Sequence, residues 1–309
     1  MDIFTTMITP YKKDGSVDYE TALRYVDYYF ENGLTGIFAV CQSSEIFWLT
    51  LEERVKLNTL VYARAKELEK SSGRPFTVVS SGHVSDGFEE QVEELNAIWQ
   101  SGTDALILIT NRLDPHNEGD DVFLANLEKL MARLPCDVKL GLYECPHPYK
   151  RLVTSRILEF CKNSGRFFYM KDTCCDAAEI ARRVEILKGS SFRLLNANCQ
   201  TLLQSMRDGA QGYCGIMCNF HPRLYAWLGE NWDKEPETAD KLQALIGTIG
   251  FTEGGLPYPL TAKYHMGLCG IPTENVARNR KSEELTDYGR DCMKQMKRLT
   301  DTAAELLGI

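Results

Sequence analysis

No stretch of this 309-residue chain approaches the roughly 18 consecutive apolar residues that a membrane span requires. The opening MDIFTTMITPYKKDG lacks both the basic segment and the long apolar core of a secretory leader. A cytoplasmic protein with no membrane partner is therefore expected. Basic residues are outnumbered, with 35 Lys and Arg against 43 Asp and Glu and a formal charge of −8. An acidic surface repels phosphate backbones, which argues against nucleic acid as a partner. A small anionic substrate stays open, because a local pocket can oppose the overall sign. Histidine is scarce: His83, His116, His147, His221 and His265 are spread out without ligand spacing, so no metal and no cofactor is expected. No Gly-x-Gly-x-x-Gly follows the first apolar run, which weakens a dinucleotide-binding sheet. The 11 cysteines are odd in number, scattered and free of any Cys-x-x-Cys pair. Without a leader they read as reduced thiols, and adjacent Cys174 and Cys175 as small buried ones.

What the chain has is alternation. Short apolar runs recur as IFTTMI from Ile3, GIFAV from Gly36, FTVVSSG from Phe76, DALILIT from Asp104, VKLGLYEC from Val138, FFYMKD from Phe167, FRLLNAN from Phe192 and GYCGIMC from Gly212. Several are rich in β-branched or aromatic residues and are bounded by Gly, Asp or Asn, as buried strands are. Amphipathic stretches lie between them. The one from Leu49 is expected to turn Leu51, Val55 and Leu57 to one side. The one from Ser85 opens on Ser-Asp and closes on Ser-Gly, a cap at each end. Eight strand signals, each followed by a helix signal, imply parallel strands with right-handed crossovers and predict a (β/α)8 TIM barrel over residues 1–233. Beyond Asp233 only helical patterns remain, punctuated by Pro257, Pro259 and Pro272. Residues 234–309 are expected to form a C-terminal helical extension packed on the barrel.

In such a barrel the site lies at the C-terminal strand ends. These ends carry CQSSE (Cys41 to Glu45), TNR, YECP (Tyr143 to Pro146), Lys171-Asp172 and CGIMCN. FFYMKD asks why an ammonium group ends an apolar strand. Held partly dry, a lysine amine favours its neutral, carbonyl-directed form. The plainer alternative is a side chain that snorkels where the strand meets water. Tyr143 and Lys171 come from neighbouring strands about 4.8 Å apart. A phenol beside an amine suits imine chemistry, in which a hydroxyl must shuttle protons as a carbinolamine loses water. Strand alternation turns Asp172 away from Lys171. The Ser-rich turn offers hydroxyls and N–H groups to a carboxylate. Glu144 reads as a rim residue facing solvent, and Asn111, Arg112 and the Glu144 to Arg151 loop as pocket walls.

Together, the hydroxyl-rich turn ending in Glu45, Tyr143-x-x-Pro146, Lys171-Asp172 and GAQGYCGIMCN resemble the dihydrodipicolinate synthase and N-acetylneuraminate lyase family of class I aldolases and lyases. The resemblance covers nearly the whole chain. It implies that Lys171 is the Schiff-base lysine for pyruvate or a related 2-oxo acid and that Tyr143 is the proton shuttle. It places Ser43 and Ser44 on the carboxylate-binding turn, with Gln42 beside them. Cys214 falls where a backbone carbonyl faces tyrosine and substrate. A homo-oligomer, tetramer or dimer, is also implied. The departures are specific. Gln42 replaces the relay hydroxyl of the synthase branch, Pro148 stands where that branch has an arginine, and TNRLDPHNEGD lacks the paired tyrosines. These argue against a dihydrodipicolinate synthase proper. The expected activity is a cofactor-free lyase or aldolase. The alternatives are a dehydratase of a 2-oxo sugar acid through the same imine and a catalytically silent 2-oxo acid sensor.

Overall fold

The computed structural model describes residues 1–309, the side chain of Thr252 excepted. Eight strands form β1 (Asp2–Thr6), β2 (Gly36–Phe38), β3 (Thr77–Ser80), β4 (Ala105–Ile109), β5 (Leu140–Tyr143), β6 (Phe167–Asp172), β7 (Arg193–Asn196) and β8 (Gly212–Gly215). They close into a barrel in sequence order, β8 pairing back onto β1. Each predicted strand is present, and every pairing is parallel.

The fold follows from two-sided burial. In β4, ALILI, all five residues are buried. The pleat sends Ala105, Ile107 and Ile109 into the barrel with Phe4, Phe38, Val79 and Leu195, and Leu106 and Leu108 out against the helices. Gly141 lets β5 and β6 close up: a Cβ there would lie 2.6 Å from the carbonyl oxygen of Tyr169. The register shifts at that glycine, and the shift brings Tyr143 opposite Lys171.

The crossovers are α1 (Tyr19–Glu31), α2 (Leu51–Ser72), α3 (Phe88–Gln100), α4 (Asp120–Met131), α5 (Ser155–Ser164), α6 (Ala177–Leu187), α7 (Leu202–Arg207) and α8 (Pro222–Asn231). Thr50 and Glu53 form a reciprocal cap on α2, and Gly73 ends it in the left-handed region at φ 72°. The buried stripe of α2 differs from the one expected. It runs Arg54, Leu57, Asn58, Val61 and Ala65, with Leu51 and Val55 only half-buried. Two polar residues enter that stripe because each finds hydrogen-bond partners there. Arg54 donates to the carbonyl of Gly82 and to Glu94, and Asn58 to the carbonyl of Gly102. The Ser-Asp cap expected for α3 is also absent, and Gly87 occupies that position. Ser85 binds Glu94 instead, and Asp86 binds Arg112.

Asp233 falls in the link between α8 and α9 (Pro236–Glu253), after which α10 (Leu260–Leu268) and α11 (Asp287–Leu307) complete the chain. The extension packs through α9 on α7 and α8 and through α11 on α8 and α10. Its connecting segments cross the C-terminal ends of the strands. Among the described residues no helix is long and apolar enough to cross a membrane.

Candidate active site

Lys171 is the penultimate residue of β6. The pleat turns it into the barrel mouth and leaves it 8 % exposed. It stands in register with Tyr143, and its Nζ lies 4.1 Å from the centroid of that ring and 5.9 Å from that of Phe38. Among the described residues no carboxylate pairs with it. The amine and the phenol share a cleft of about 700 Å³ over the strand ends.

The Tyr143 hydroxyl donates to Gln42 Oε1 at 3.1 Å, and the Cys145 thiol donates to the same oxygen at 3.4 Å. Burial holds the Tyr143 phenol well above its usual range, so it enters chemistry protonated. Cys41, Cys145 and Cys214 ring the amine. Burial raises each thiol, Cys214 to about 12, although the Lys171 charge pulls the other way. They stand as neutral walls.

Residues Gln42–Ser44 form a 3₁₀ turn. Gln42 and Ser43 face the cleft, and Ser43 Oγ donates to Thr6 Oγ1 at 3.0 Å. Ser44 does not face it, contrary to expectation. Its hydroxyl lies 2.7 Å from the Met7 carbonyl and 2.6 Å from that of Ala39, and it accepts from the Cys41 N–H. The turn points one serine out and the next into the wall. Glu45 closes the turn at φ 59°, a conformation that costs a non-glycine residue about 1 kcal/mol. It is held there by its carboxylate, which accepts from Lys263 at 2.6 Å and from the N–H groups of Arg278 and Asn279 at 2.6 and 3.1 Å. Glu45 thereby ties the extension to the site turn. Cys214 lies in β8 opposite Phe4 with its side chain in the barrel interior, and the following Gly215 and Ile216 line the cleft.

Asp172 turns outward, as alternation predicts, and pairs with Arg183 of α6. Glu144 is a correction: it is fully buried, not solvent-facing. Arg183 lies 2.9 Å from it, and its two oxygens accept from the N–H groups of Val153 and Thr173 at 2.8 and 2.9 Å. Burial raises the Glu144 carboxyl, and Arg183 opposes that rise. Asn111 and Arg112 are not pocket walls either. Asn111 Nδ2 donates to the carbonyls of Cys145, His147 and Tyr149 and braces the loop after β5. Arg112 pairs with Asp86. From that loop, Pro146 and Lys150 do line the cleft. Cys175 is exposed at its edge with φ 61°, and Cys174 is half-buried, so the pair is not the buried one expected.

Much of the remaining wall comes from the extension: Glu253, Tyr258, Asn279 and Arg280. None of them was singled out from sequence. Pro257-Tyr258-Pro259 carried the only signal, a rigid turn around an aromatic. The Tyr258 phenol meets Ser43, Thr6 and Asn219. Lys150, Lys171 and Arg280 surround the cleft, and Glu253 is the one acidic side chain among its described lining residues. A cationic cleft in a chain of charge −8 is the local reversal that an anionic ligand requires.

Comparison with known proteins agrees with this fold. Residues 1–68 match the model of the dihydrodipicolinate synthetase family. The 4-hydroxy-tetrahydrodipicolinate synthase of Bartonella bacilliformis is 25 % identical over 279 residues, covering 88 % of this chain and 89 % of that one. That of Methanothrix thermoacetophila is 24 % identical over 304 residues, covering 96 % and 97 %. The chain is a relative of the dihydrodipicolinate synthase family. Its fold is also that of a sialic acid aldolase of Ruminococcus gnavus, solved as a catalytic lysine mutant. That structure has a TM-score of 0.85 at 16 % identity, covering 98 % of this chain and 96 % of that one. A dihydrodipicolinate synthase of Acinetobacter baumannii, solved with pyruvate, has a TM-score of 0.82 at 17 % identity over 97 % and 98 %. Family members of both names are lyases. Gln42 lines the cleft and receives the Tyr143 hydroxyl, whereas Pro148 follows a cis peptide bond in the braced loop and is not among the lining residues.

Proposed function

We propose that this chain is a Schiff-base-forming lyase or aldolase. Lys171 captures pyruvate or a related 2-oxo acid as an imine, and the protonated imine serves as the electron sink through which a C–C bond is made or broken. The observation that carries this reading is the amine of Lys171, 4.1 Å over the Tyr143 ring inside a cationic cleft and without a carboxylate partner among the described residues. Tyr143, whose hydroxyl already holds a hydrogen bond at the mouth, shuttles protons during dehydration. Ser43, Gln42 and the chain at Cys214 to Ile216 receive the carboxylate end of the substrate.

The reaction is not that of a dihydrodipicolinate synthase proper, although curated relatives carry that activity in their names. Gln42 accepts from Tyr143 through an amide, which has no exchangeable acid proton to relay at neutral pH. Position 148 is a proline and supplies no guanidinium for a second carboxylate. A homo-oligomer is part of the same proposal. The deciding experiment is borohydride reduction with pyruvate. A stable adduct on Lys171, lost in Lys171→Ala, supports the reading, and an unmodified parent chain rejects it.

A further inference from the structure

The extension carries a group over the cleft that imine formation does not use. Glu253 ends α9, is 1 % exposed and lines the same cleft as Lys171. Its Oε1 accepts from Thr261 Oγ1, itself fully buried in α10, at 2.9 Å. The charged and titratable groups that face it come from three other segments: Arg280, Tyr258 and Cys199. Glu253 forms no ion pair shorter than 4 Å with Arg280, whose Nε donates to the Tyr258 carbonyl and whose Nη1 pairs with Glu284, both at 2.8 Å. The Asn279 side-chain oxygen, also on the lining, is buried with no hydrogen-bond partner among the described residues. Burial raises the Glu253 carboxyl to about 8, against pulls from Thr261 and Arg280. A carboxylic acid, a guanidinium and an unpartnered amide oxygen thus converge on a cleft whose other wall is the amine.

We infer that Glu253 is the acid–base residue for the second reactant, an aldehyde that itself bears a carboxylate, and that Arg280 binds the far end of that aldehyde. The inference rests on the reading of Lys171 as the imine-forming amine. In the bond-forming direction the enamine carbon attacks the aldehyde carbon. The C=O π pair takes the Glu253 proton, a hydroxyl forms, and the carboxyl is left as carboxylate. Water then hydrolyses the product imine and frees the amine. In the cleaving direction the carboxylate removes the hydroxyl proton, the C–C pair flows into the imine, and aldehyde and enamine result. Arg280 sits at the rim, where it meets charge without neutralising Glu253.

The test uses the full chain with pyruvate and three aldehydes: glyoxylate, succinic semialdehyde and uncharged glyceraldehyde. In Glu253→Gln, borohydride trapping of pyruvate on Lys171 should stay within about twofold of the parent, while turnover of the carboxylated aldehydes should fall about 100-fold or more. The parent condensation rate should decline as pH rises through about 8, and Glu253→Gln should lose that limb. Glu253→Asp, which keeps a displaced carboxyl, should recover part of the rate. Arg280→Ala should raise KM for the carboxylated aldehydes about tenfold and leave glyceraldehyde unchanged. Equal turnover by the parent and Glu253→Gln, with trapping intact in both, overturns the role of Glu253 alone. A parent that traps pyruvate yet turns over neither carboxylated aldehyde overturns the assignment of the second reactant. A parent that traps nothing overturns the underlying reading and this inference with it.

Discussion

Lys171 and Asp172 are neighbours in one strand, yet they live in opposite electrostatic worlds. Inside the barrel, Lys171 rests over an aromatic ring, ringed by neutral thiols, and no carboxylate pairs with it among the described residues. Outside, Asp172 and Glu144 share one guanidinium, that of Arg183, which also reaches Glu179 at 2.9 Å and donates to the Val153 carbonyl at 2.7 Å. All three outer groups are essentially unexposed. The barrel wall separates an amine held for use from carboxylates held for stability. The device is only the pleat: a one-residue step along a strand changes face. An acid placed on the inward face beside Lys171 would have met the amine in the cleft and favoured its protonated, non-nucleophilic form.

The largest expected effect tests the inner side. Lys171→Ala should abolish pyruvate trapping and turnover while leaving the free energy of unfolding within about 1 kcal/mol of the parent, because no partner is orphaned by its removal. A large loss of stability would mean that Lys171 belongs to the structural set after all. Next comes the outer side. Arg183→Met strands two buried carboxylates and should cost about 3–5 kcal/mol in urea unfolding. Any loss of trapping should follow unfolding and not precede it. A cost under about 1 kcal/mol would break the contrast. A third change cuts within the inner set. Tyr143→Phe keeps the ring beneath Nζ but removes the hydroxyl from Gln42, so turnover should drop about 100-fold with trapping retained, if slower.

The contrast was half legible in the sequence. The eight strands were, since runs such as ALILI and FFYMKD bury on both faces and have few other uses. The opposite facing of Lys171 and Asp172 followed from period two alone. The fate of Glu144 did not, because nothing near YECP announces that α6 will bring Arg183 against it. Ser43 and Ser44 are chemically alike in the sequence, and only the 3₁₀ turn assigns one to the cleft and one to the wall. Hardest to read was the extension. Glu253, Tyr258 and Arg280 reach the cleft through a tertiary path fixed by the buried Glu45–Lys263 pair, which joins the turn after β2 to α10. Pairings between remote segments leave no local periodicity, so pattern reading stops where they begin.

The most gradual expected effect, spread over several pH units, sharpens the comparison by asking whether an acid over the cleft is really neutral. Glu253 lies in the cleft with its carboxyl raised from 4.5 to about 8 by burial. Between those two values the folded chain holds a proton that the unfolded chain has released. Stability from this group is therefore complete below about 4.5 and is lost as pH rises through about 8, with a span of ~5 kcal/mol at most. Glu253→Gln removes the difference. Unfolding free energies of parent and variant, measured in urea from pH 5 to pH 9, should therefore diverge up to about pH 8 and level off beyond it, with the parent losing ground as pH rises. The sign is diagnostic: a Glu253 that was ionised and paired with Arg280 would make the parent gain on the variant as pH rises from acid. In that case the cleft would hold a salt bridge like those outside the barrel, and the division between a reserved interior and a saturated exterior would fail at that residue.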